Sequence, residues 1–239
     1  MKAMILAAGI GSRLKPFTDS HPKALARVNG ETILQRNIEY LAQYGITDII
    51  INVHHFAKQV TKYLKENKNF GSDITISDES KEVLETGGGL KKASWYFEDD
   101  DEPFIVLNVD VLTDMNLQTM VEKHLKLKPL ATLAVTNRYT SRYFLFDELD
   151  QLCGWRNEKT GEQKISREAK KFYPKAFSGI HVISPKIFSL VQMTGKFSIV
   201  DLYLELAKTH IITSFEHSNS KFIDVGKPES ILKAEELFG

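Results

Sequence analysis

Over its first 130 residues the chain alternates short β-branched apolar runs with amphipathic segments of helical period, and few folds accommodate that alternation. The run at 4–7 is followed by a helical stretch near 32–44, the run at 48–53 by one near 58–66, the run at 73–77 by one near 90–97, and the run at 104–109 by one near 117–127. Strands joined by helical crossovers lie parallel, because right-handed crossovers carry each helix back over the sheet. The expected class is therefore α/β: a Rossmann-like, doubly wound, mostly parallel sheet in three αβα layers. Gly45 follows the first helix where a C-terminal cap is expected.

After Leu130 the pattern becomes mixed, with strand-like runs at 131–136, 143–147 and 176–183 and helices near 186–191 and 199–208. The polar stretch 157–171 reads as an exposed hairpin or loop, since apolar strand text resumes at once. The acidic run 98–102 reads as a solvated turn. No internal repeat is visible. With 239 residues, 42% of them hydrophobic, a single domain over 1–239 is expected.

Charge and cysteine usage exclude several classes of partner. Lys plus Arg equals Asp plus Glu at 31 each, so no bulk positive field attracts nucleic acid or an anionic membrane. Cys153, the single cysteine, allows neither an internal disulfide nor a thiolate metal cluster, and is expected to be inert filler. Lys2 and the apolar residues after it look superficially like a leader peptide, but Arg13 and Lys15 end that run without a cleavage site. No stretch approaches the roughly 20 apolar residues of a membrane helix. A soluble, cytoplasmic protein is expected.

The chemistry concentrates at strand ends. The first strand runs into Gly9-Ile10-Gly11-Ser12-Arg13-Leu14-Lys15-Pro16, a loop at the carboxyl edge of the sheet, where doubly wound folds bind ligands. Glycines there let backbone N–H groups approach phosphates. The loop is not a Walker A motif, because no Gly-Lys-Ser/Thr closes it, and Leu14 replaces the third glycine of the dinucleotide fingerprint. A nicotinamide dehydrogenase would also want an acid after the second strand, where Asn52-Val53-His54 stands. Arg13, Lys15 and Lys23 supply the cations that a triphosphate needs. Asp110 closes a hydrophobic strand at the same edge and offers a hard cation an oxygen ligand. His54 and His55 have no third ligand nearby and are expected to be loop residues near the cleft.

The run LAAGIGSRLKPFTDSHPKAL, residues 6–25, resembles the sugar-1-phosphate nucleotidyltransferases, the enzymes that make nucleotide sugars. The resemblance implies a nucleotide-diphospho-sugar transferase fold, with a nucleotide-binding half at 1–130 and a sugar-binding half at 131–239. It also implies that Leu6, Ala7, Ala8, Gly9, Gly11 and Ser12 wrap the nucleotide, that Arg13 holds the departing pyrophosphate and that Lys23 bridges to the reacting phosphates. Glu85-Thr86-Gly87-Gly88-Gly89-Leu90 resembles the family's glycine segment against the nucleobase, which makes Glu85, Gly87 and Gly88 nucleotide contacts. Leu107-Asn108-Val109-Asp110 and Phe222-Ile223-Asp224-Val225-Gly226-Lys227-Pro228-Glu229 resemble the segments that carry the family's magnesium aspartates, here Asp110 and Asp224.

Asn108, Ser178 and Gly179 are then expected at the sugar, and Arg138-Tyr139-Thr140-Ser141-Arg142 is either an ordinary polar turn between strands or a basic lip over the sugar in which Arg138 or Arg142 meets an acidic substituent. Within the family the chain looks most like N-acetylmuramate-1-phosphate uridylyltransferases of cell-wall recycling, with UTP as donor, and next like mannose-1-phosphate guanylyltransferases. A non-catalytic regulatory subunit that binds nucleotide sugars is the reading from another class, and homodimers are common among such enzymes. The chain departs from many relatives by showing Glu158-Lys159-Thr160 where they carry Glu-Lys-Pro. As given, it leaves no room after its closing motif for the β-helix acyltransferase domain of some relatives.

Overall fold

The computed structural model describes residues 1–98 and 101–239, so the acidic run 98–102 lies partly outside the described residues. The first half contains β1 (Ala3–Leu6), the short pair β2 (Arg27–Val28) and β3 (Glu31–Thr32), α1 (Ile33–Gln43), β4 (Asp48–Val53), α2 (Ala57–Glu66) and β5 (Asp73–Asp78). It continues with α3 (Glu85–Lys92), β6 (Phe104–Asn108), β7 (Val111–Thr113) and α4 (Leu117–Leu127). The second half has β8 (Ala131–Thr136), β9 (Arg142–Phe146), β10 (Leu152–Asn157), β11 (Gln163–Ile165), β12 (Tyr173–Ile183), α5 (Ile187–Leu190), α6 (Ile199–Leu206), β13 (Ile212–Glu216), β14 (Phe222–Asp224) and α7 (Pro228–Leu237).

The main sheet runs β11-β10-β9-β12-β6-β1-β4-β5, with β8 between β12 and β13. Its first-half strands are parallel: β1 lies between β4 and β6, with Leu6 opposite both Asn52 and Asn108. The second half is joined mainly by antiparallel pairs, because β12 turns back against β6, β8 and β9. Alternation along β1 builds two cores. Ala3 and Ile5 pack with α1, α2 and α4 on one face, whereas Met4 and Leu6 pack with α3 and α6 on the other. The polar stretch 157–171 begins as a hairpin, with β10 and β11 antiparallel. No helix among the described residues is long and apolar enough to cross a membrane.

Local chemistry sets several helix ends. Thr32 Oγ1 accepts the Gln35 N–H at 3.0 Å and Asn116 Oδ1 accepts the Thr119 N–H at 3.1 Å, which satisfies first-turn donors of α1 and α4. One boundary differs from the sequence pattern: α3 begins at Glu85, not near Leu90, so the three glycines lie inside it. Glycine disfavours a helix by up to about 1 kcal/mol per residue. Packing overrides that here, because a Cβ at Gly87 would sit 2.5 Å from the Phe197 ring and one at Gly88 2.4 Å from the Gly195 carbonyl oxygen.

His181 is fully buried in the second core, bonded through Nδ1 to the Tyr203 hydroxyl at 2.7 Å. Burial pushes its imidazole down to about 3. Below pH about 6.5 the unfolded chain therefore protonates this histidine while the folded chain does not, and stability falls as pH falls. Relative to His181→Gln, the wild type is expected to lose about 1.4 kcal/mol per pH unit between pH 6 and pH 4. Urea unfolding of both proteins across that range checks this, and parallel stability profiles would contradict it.

Candidate active site at the carboxyl edge of the sheet

The loop after β1 folds back on itself. Gly11 adopts φ +69°, and a Cβ there would meet Thr18 Cγ2 at 2.9 Å and Lys23 Cβ at 3.0 Å, so only glycine lets the chain lie this close. The Gly11 carbonyl accepts the Leu14 N–H at 2.8 Å and the Thr18 hydroxyl at 2.9 Å. The Lys23 side chain passes beneath this turn, and its ammonium donates to the Asp110 carboxylate. Proximity in space thus joins two motifs 87 residues apart.

Asp224 reaches the same place from the far end of the chain. β14 pairs antiparallel with β7 so that Asp224 lies opposite Val111, and the Val225 N–H donates to the Asp110 carbonyl at 2.7 Å. Arg13 closes the group: a Cβ on Gly226 would lie 2.6 Å from an Asp224 carboxylate oxygen and 3.0 Å from Arg13 Nη2. Burial raises the Asp224 carboxyl above the usual range, the charge of Asp110 raises it further, and Lys23 and Arg13 oppose the shift. Two carboxylates held against each other in this way fit a hard cation that takes its remaining oxygens from water and phosphate. Among the described residues no cluster of three or more His, Cys, Asp or Glu side chains could hold a metal by itself.

A cleft of about 480 Å³ opens beside this group. Of the residues expected from the sequence, Leu6, Ala8, Gly9, Gly11, Ser12, Lys23, Glu85, Asn108 and Asp110 line it. Ala7 is buried beneath, and its N–H donates to Asn52 Oδ1 at 2.7 Å. Gly87 and Gly88 are buried against residues 195–197 rather than open to the cleft, so the structure gives these two glycines a packing role. Asn52 Nδ2 in turn donates to Glu79 Oε1 at 2.7 Å, and Glu79 Oε2 accepts the Leu84 N–H at 3.3 Å. This chain of bonds ties the edge of β1 to the loop that leads into α3. Burial raises the Glu79 carboxyl, which is almost wholly enclosed. His54 is a loop residue whose Nδ1 lies 2.7 Å from the Glu79 carbonyl oxygen.

Beside Asn108, Gly179 adopts φ +73° and packs so closely that a Cβ would sit 2.6 Å from Asn108 Nδ2, while neither Gly179 nor Ser178 lines the cleft itself. Ser178 is buried, with its hydroxyl 2.8 Å from His217 Nε2. Arg138 is not an open basic lip. It donates to Thr136 Oγ1 at 2.6 Å and to the Phe177 carbonyl at 2.5 Å, and its guanidinium lies 4.4 Å from the Phe222 ring centroid. The Phe177 carbonyl lies where β12 shifts register, between Phe177 and His181. Arg142 is exposed at the start of β9, opposite Asn157, and does not line the cleft. Sequence reasoning missed Asn52, Glu79 and Lys196, which become neighbours only through the sheet order and the packing of α3. Cys153 is buried, and burial pushes its thiol up to about 11, consistent with inert packing.

Known proteins are similar to this chain along most or all of its length. A mannose-1-phosphate guanyltransferase of Yarrowia lipolytica is 30% identical over 100% of this chain and 64% of its own length. A UTP–glucose-1-phosphate uridylyltransferase of Synechocystis is 27% identical over 95% of this chain and 60% of its own. The chain thus spans less than two thirds of these curated relatives. The solved structure of HddC from Yersinia pseudotuberculosis superposes with a TM-score of 0.79 at 26% identity, covering 100% of this chain and 99% of that one. The nucleotidyl transferase family profile matches residues 2–144, from β1 through the loop of Arg13 and Lys23 and past Asp110, and the chain belongs to that family.

Proposed function

We propose that this chain is a sugar-1-phosphate nucleotidyltransferase, joining a nucleoside triphosphate to a sugar 1-phosphate and releasing pyrophosphate. The observation that carries the reading is the convergence of Arg13, Lys23, Asp110 and Asp224 at the mouth of a glycine-lined cleft. In the proposed reaction a sugar phosphate oxygen attacks the α-phosphorus in line, the bond to the β-phosphate oxygen breaks, and pyrophosphate takes that electron pair. No general base is needed, because a phosphate monoester is largely dianionic at neutral pH. The difficulty is to bring two anions together, so positioning and charge dominate.

The open N–H groups of Gly9–Ser12 would receive the phosphates, Lys23 would bridge toward the reacting phosphorus and Arg13 would receive the departing pyrophosphate. Asp110 and Asp224 would hold magnesium, which supplies a Lewis acid for the charge that grows on the phosphoryl oxygens. Asn108, with Gly179 packed against its side chain, lines the end of the cleft proposed for the sugar. The chain is read as one nucleotidyltransferase domain, working in the cytoplasm and open to forming a homodimer.

UTP with N-acetylmuramate 1-phosphate, for cell-wall recycling, is one proposed pair, and GTP with mannose 1-phosphate is the other; one relative is named for UTP and another as a guanyltransferase acting on mannose 1-phosphate. The regulatory-subunit alternative is disfavoured because all four charged groups are present and in contact range. Pyrophosphate release should be measured with magnesium across UTP, GTP, ATP and CTP against N-acetylmuramate, N-acetylglucosamine, mannose and glucose 1-phosphates. At least one active pair is expected. Silence across the matrix together with tight nucleotide-sugar binding would replace the enzyme with the regulatory subunit.

A further inference from the structure

Glu85 stands in left-handed backbone, φ +59°, although three glycines that adopt such angles freely follow within four residues. A non-glycine residue held there costs of order 1 kcal/mol or more, and such strain is characteristic of ligand sites. Its carboxylate lines the cleft, and its one ion-pair partner among the described residues is Lys196 Nζ, at 3.6 Å. Both side chains are about half exposed, so the pair adds little to stability and does not explain the strain.

Lys196, in contrast, is carried by a strap that is firmly tied to α3. The Phe197 carbonyl accepts the Gly87 N–H at 3.0 Å and the Gly88 N–H at 3.2 Å, the Phe197 N–H donates to the Leu84 carbonyl at 3.2 Å, and the Ile199 N–H donates to Thr86 Oγ1 at 2.9 Å. Lys91 Nζ adds bonds to the Val191 and Met193 carbonyls at 3.2 and 2.6 Å. The buried glycines allow this close approach. A carboxylate and an ammonium are thus presented side by side on the wall of the cleft.

A carboxylate repels phosphate, so this wall cannot face the triphosphate that Gly9–Ser12 and Lys23 receive. It is left to face the base. Resting on the nucleotidyltransferase reading, we infer that Glu85 and Lys196 select guanine by its pairing edge. Guanine offers N1–H and the 2-amino group side by side to the two oxygens of Glu85, and O6 next to them to Lys196. Uracil offers one N–H between two carbonyls, which turns an oxygen toward a carboxylate oxygen. Adenine turns its N1 lone pair the same way. GTP, rather than UTP, is then the preferred donor.

The test compares kcat/KM for GTP, ITP, 2′-deoxy-GTP, UTP and ATP in the wild type and in Glu85→Gly and Lys196→Met. ITP lacks only the 2-amino group, and its kcat/KM is expected to fall about 10-fold below that of GTP. In Glu85→Gly the GTP-to-ITP ratio should collapse toward one while the melting temperature rises by about 2 °C, because the strain is relieved. Lys196→Met should lower kcat/KM for GTP about 10-fold.

Preference for UTP, equal use of GTP and ITP, or a ratio that survives in Glu85→Gly would each overturn the assignment. A loss confined to 2′-deoxy-GTP would also overturn it, by placing the carboxylate on the ribose. If no triphosphate is turned over, the enzymatic reading fails separately. Calorimetric titration with GDP and IDP then decides the base assignment, which requires the tighter binding of GDP to disappear in Glu85→Gly.

Discussion

Asp110→Asn is expected to lower kcat by roughly 10²–10³-fold at saturating magnesium while leaving the protein folded. Asparagine keeps the shape and an acceptor for Lys23 but removes the charge that the proposed magnesium site requires. Stability should hold, because burial and then the charge of Asp110 push the Asp224 carboxyl up, and relief of that like-charge repulsion offsets the lost ion pair with Lys23. The Asp224 carboxyl should move back toward the ordinary range in the variant. Steady-state kinetics with a thermal melt on the same preparation checks both halves. Undiminished kcat would remove Asp110 from the catalytic group, and a lost melting transition would show that the aspartate is structural.

Gly88→Ala should produce the largest loss of stability from the smallest change in mass. The new Cβ would sit 2.4 Å from the Gly195 carbonyl oxygen and 3.0 Å from the Leu84 Cβ, and backbone offers no cheap way to yield. Overpacking of this kind costs about 2–3 kcal/mol. For a chain of this size the melting temperature should drop by about 5 °C or more. Nucleotide affinity should fall with it, because the strap that carries Lys196 is displaced. Gly9→Ala is the control: nothing lies within 4 Å of a Cβ there, and its melting temperature should stay close to wild type. Equal melting temperatures for the two variants would mean that α3 and residues 195–197 are not in contact.

Local chemistry made a large part of this legible from sequence. β1, β4 and β6 are dominated by apolar residues, and the glycine loop after β1 announces a sharp turn at a strand end whatever follows it. The Thr32 and Asn116 caps and Gly45 mark helix ends through interactions within one turn of chain. Asp110 stood out because it follows a hydrophobic strand at the edge that carries the glycine loop, and Asp224 because its segment resembles the family's closing motif.

The remainder depends on contacts between distant segments. α3 contains three glycines and reads as a loop until residues 195–197 are laid against it. Asn52 and Glu79 belong to one network only because β4 lies beside β1, which brings the Asn52 side chain to the Ala7 N–H. Arg138 looked like a surface cation because no pattern in the sequence marks the register shift in β12 where its Phe177 carbonyl acceptor lies. Long-range packing, not propensity, decides each of these cases.

Product accounting by phosphorus NMR reaches furthest into the proposed reaction. The purified chain, magnesium, GTP or UTP and the active sugar 1-phosphate should give nucleotide sugar and pyrophosphate in equal amounts, with sugar phosphate consumed one for one. Pyrophosphate accompanied by free nucleoside monophosphate, or triphosphate consumption that ignores the sugar phosphate, would contradict transfer and describe a hydrolase instead.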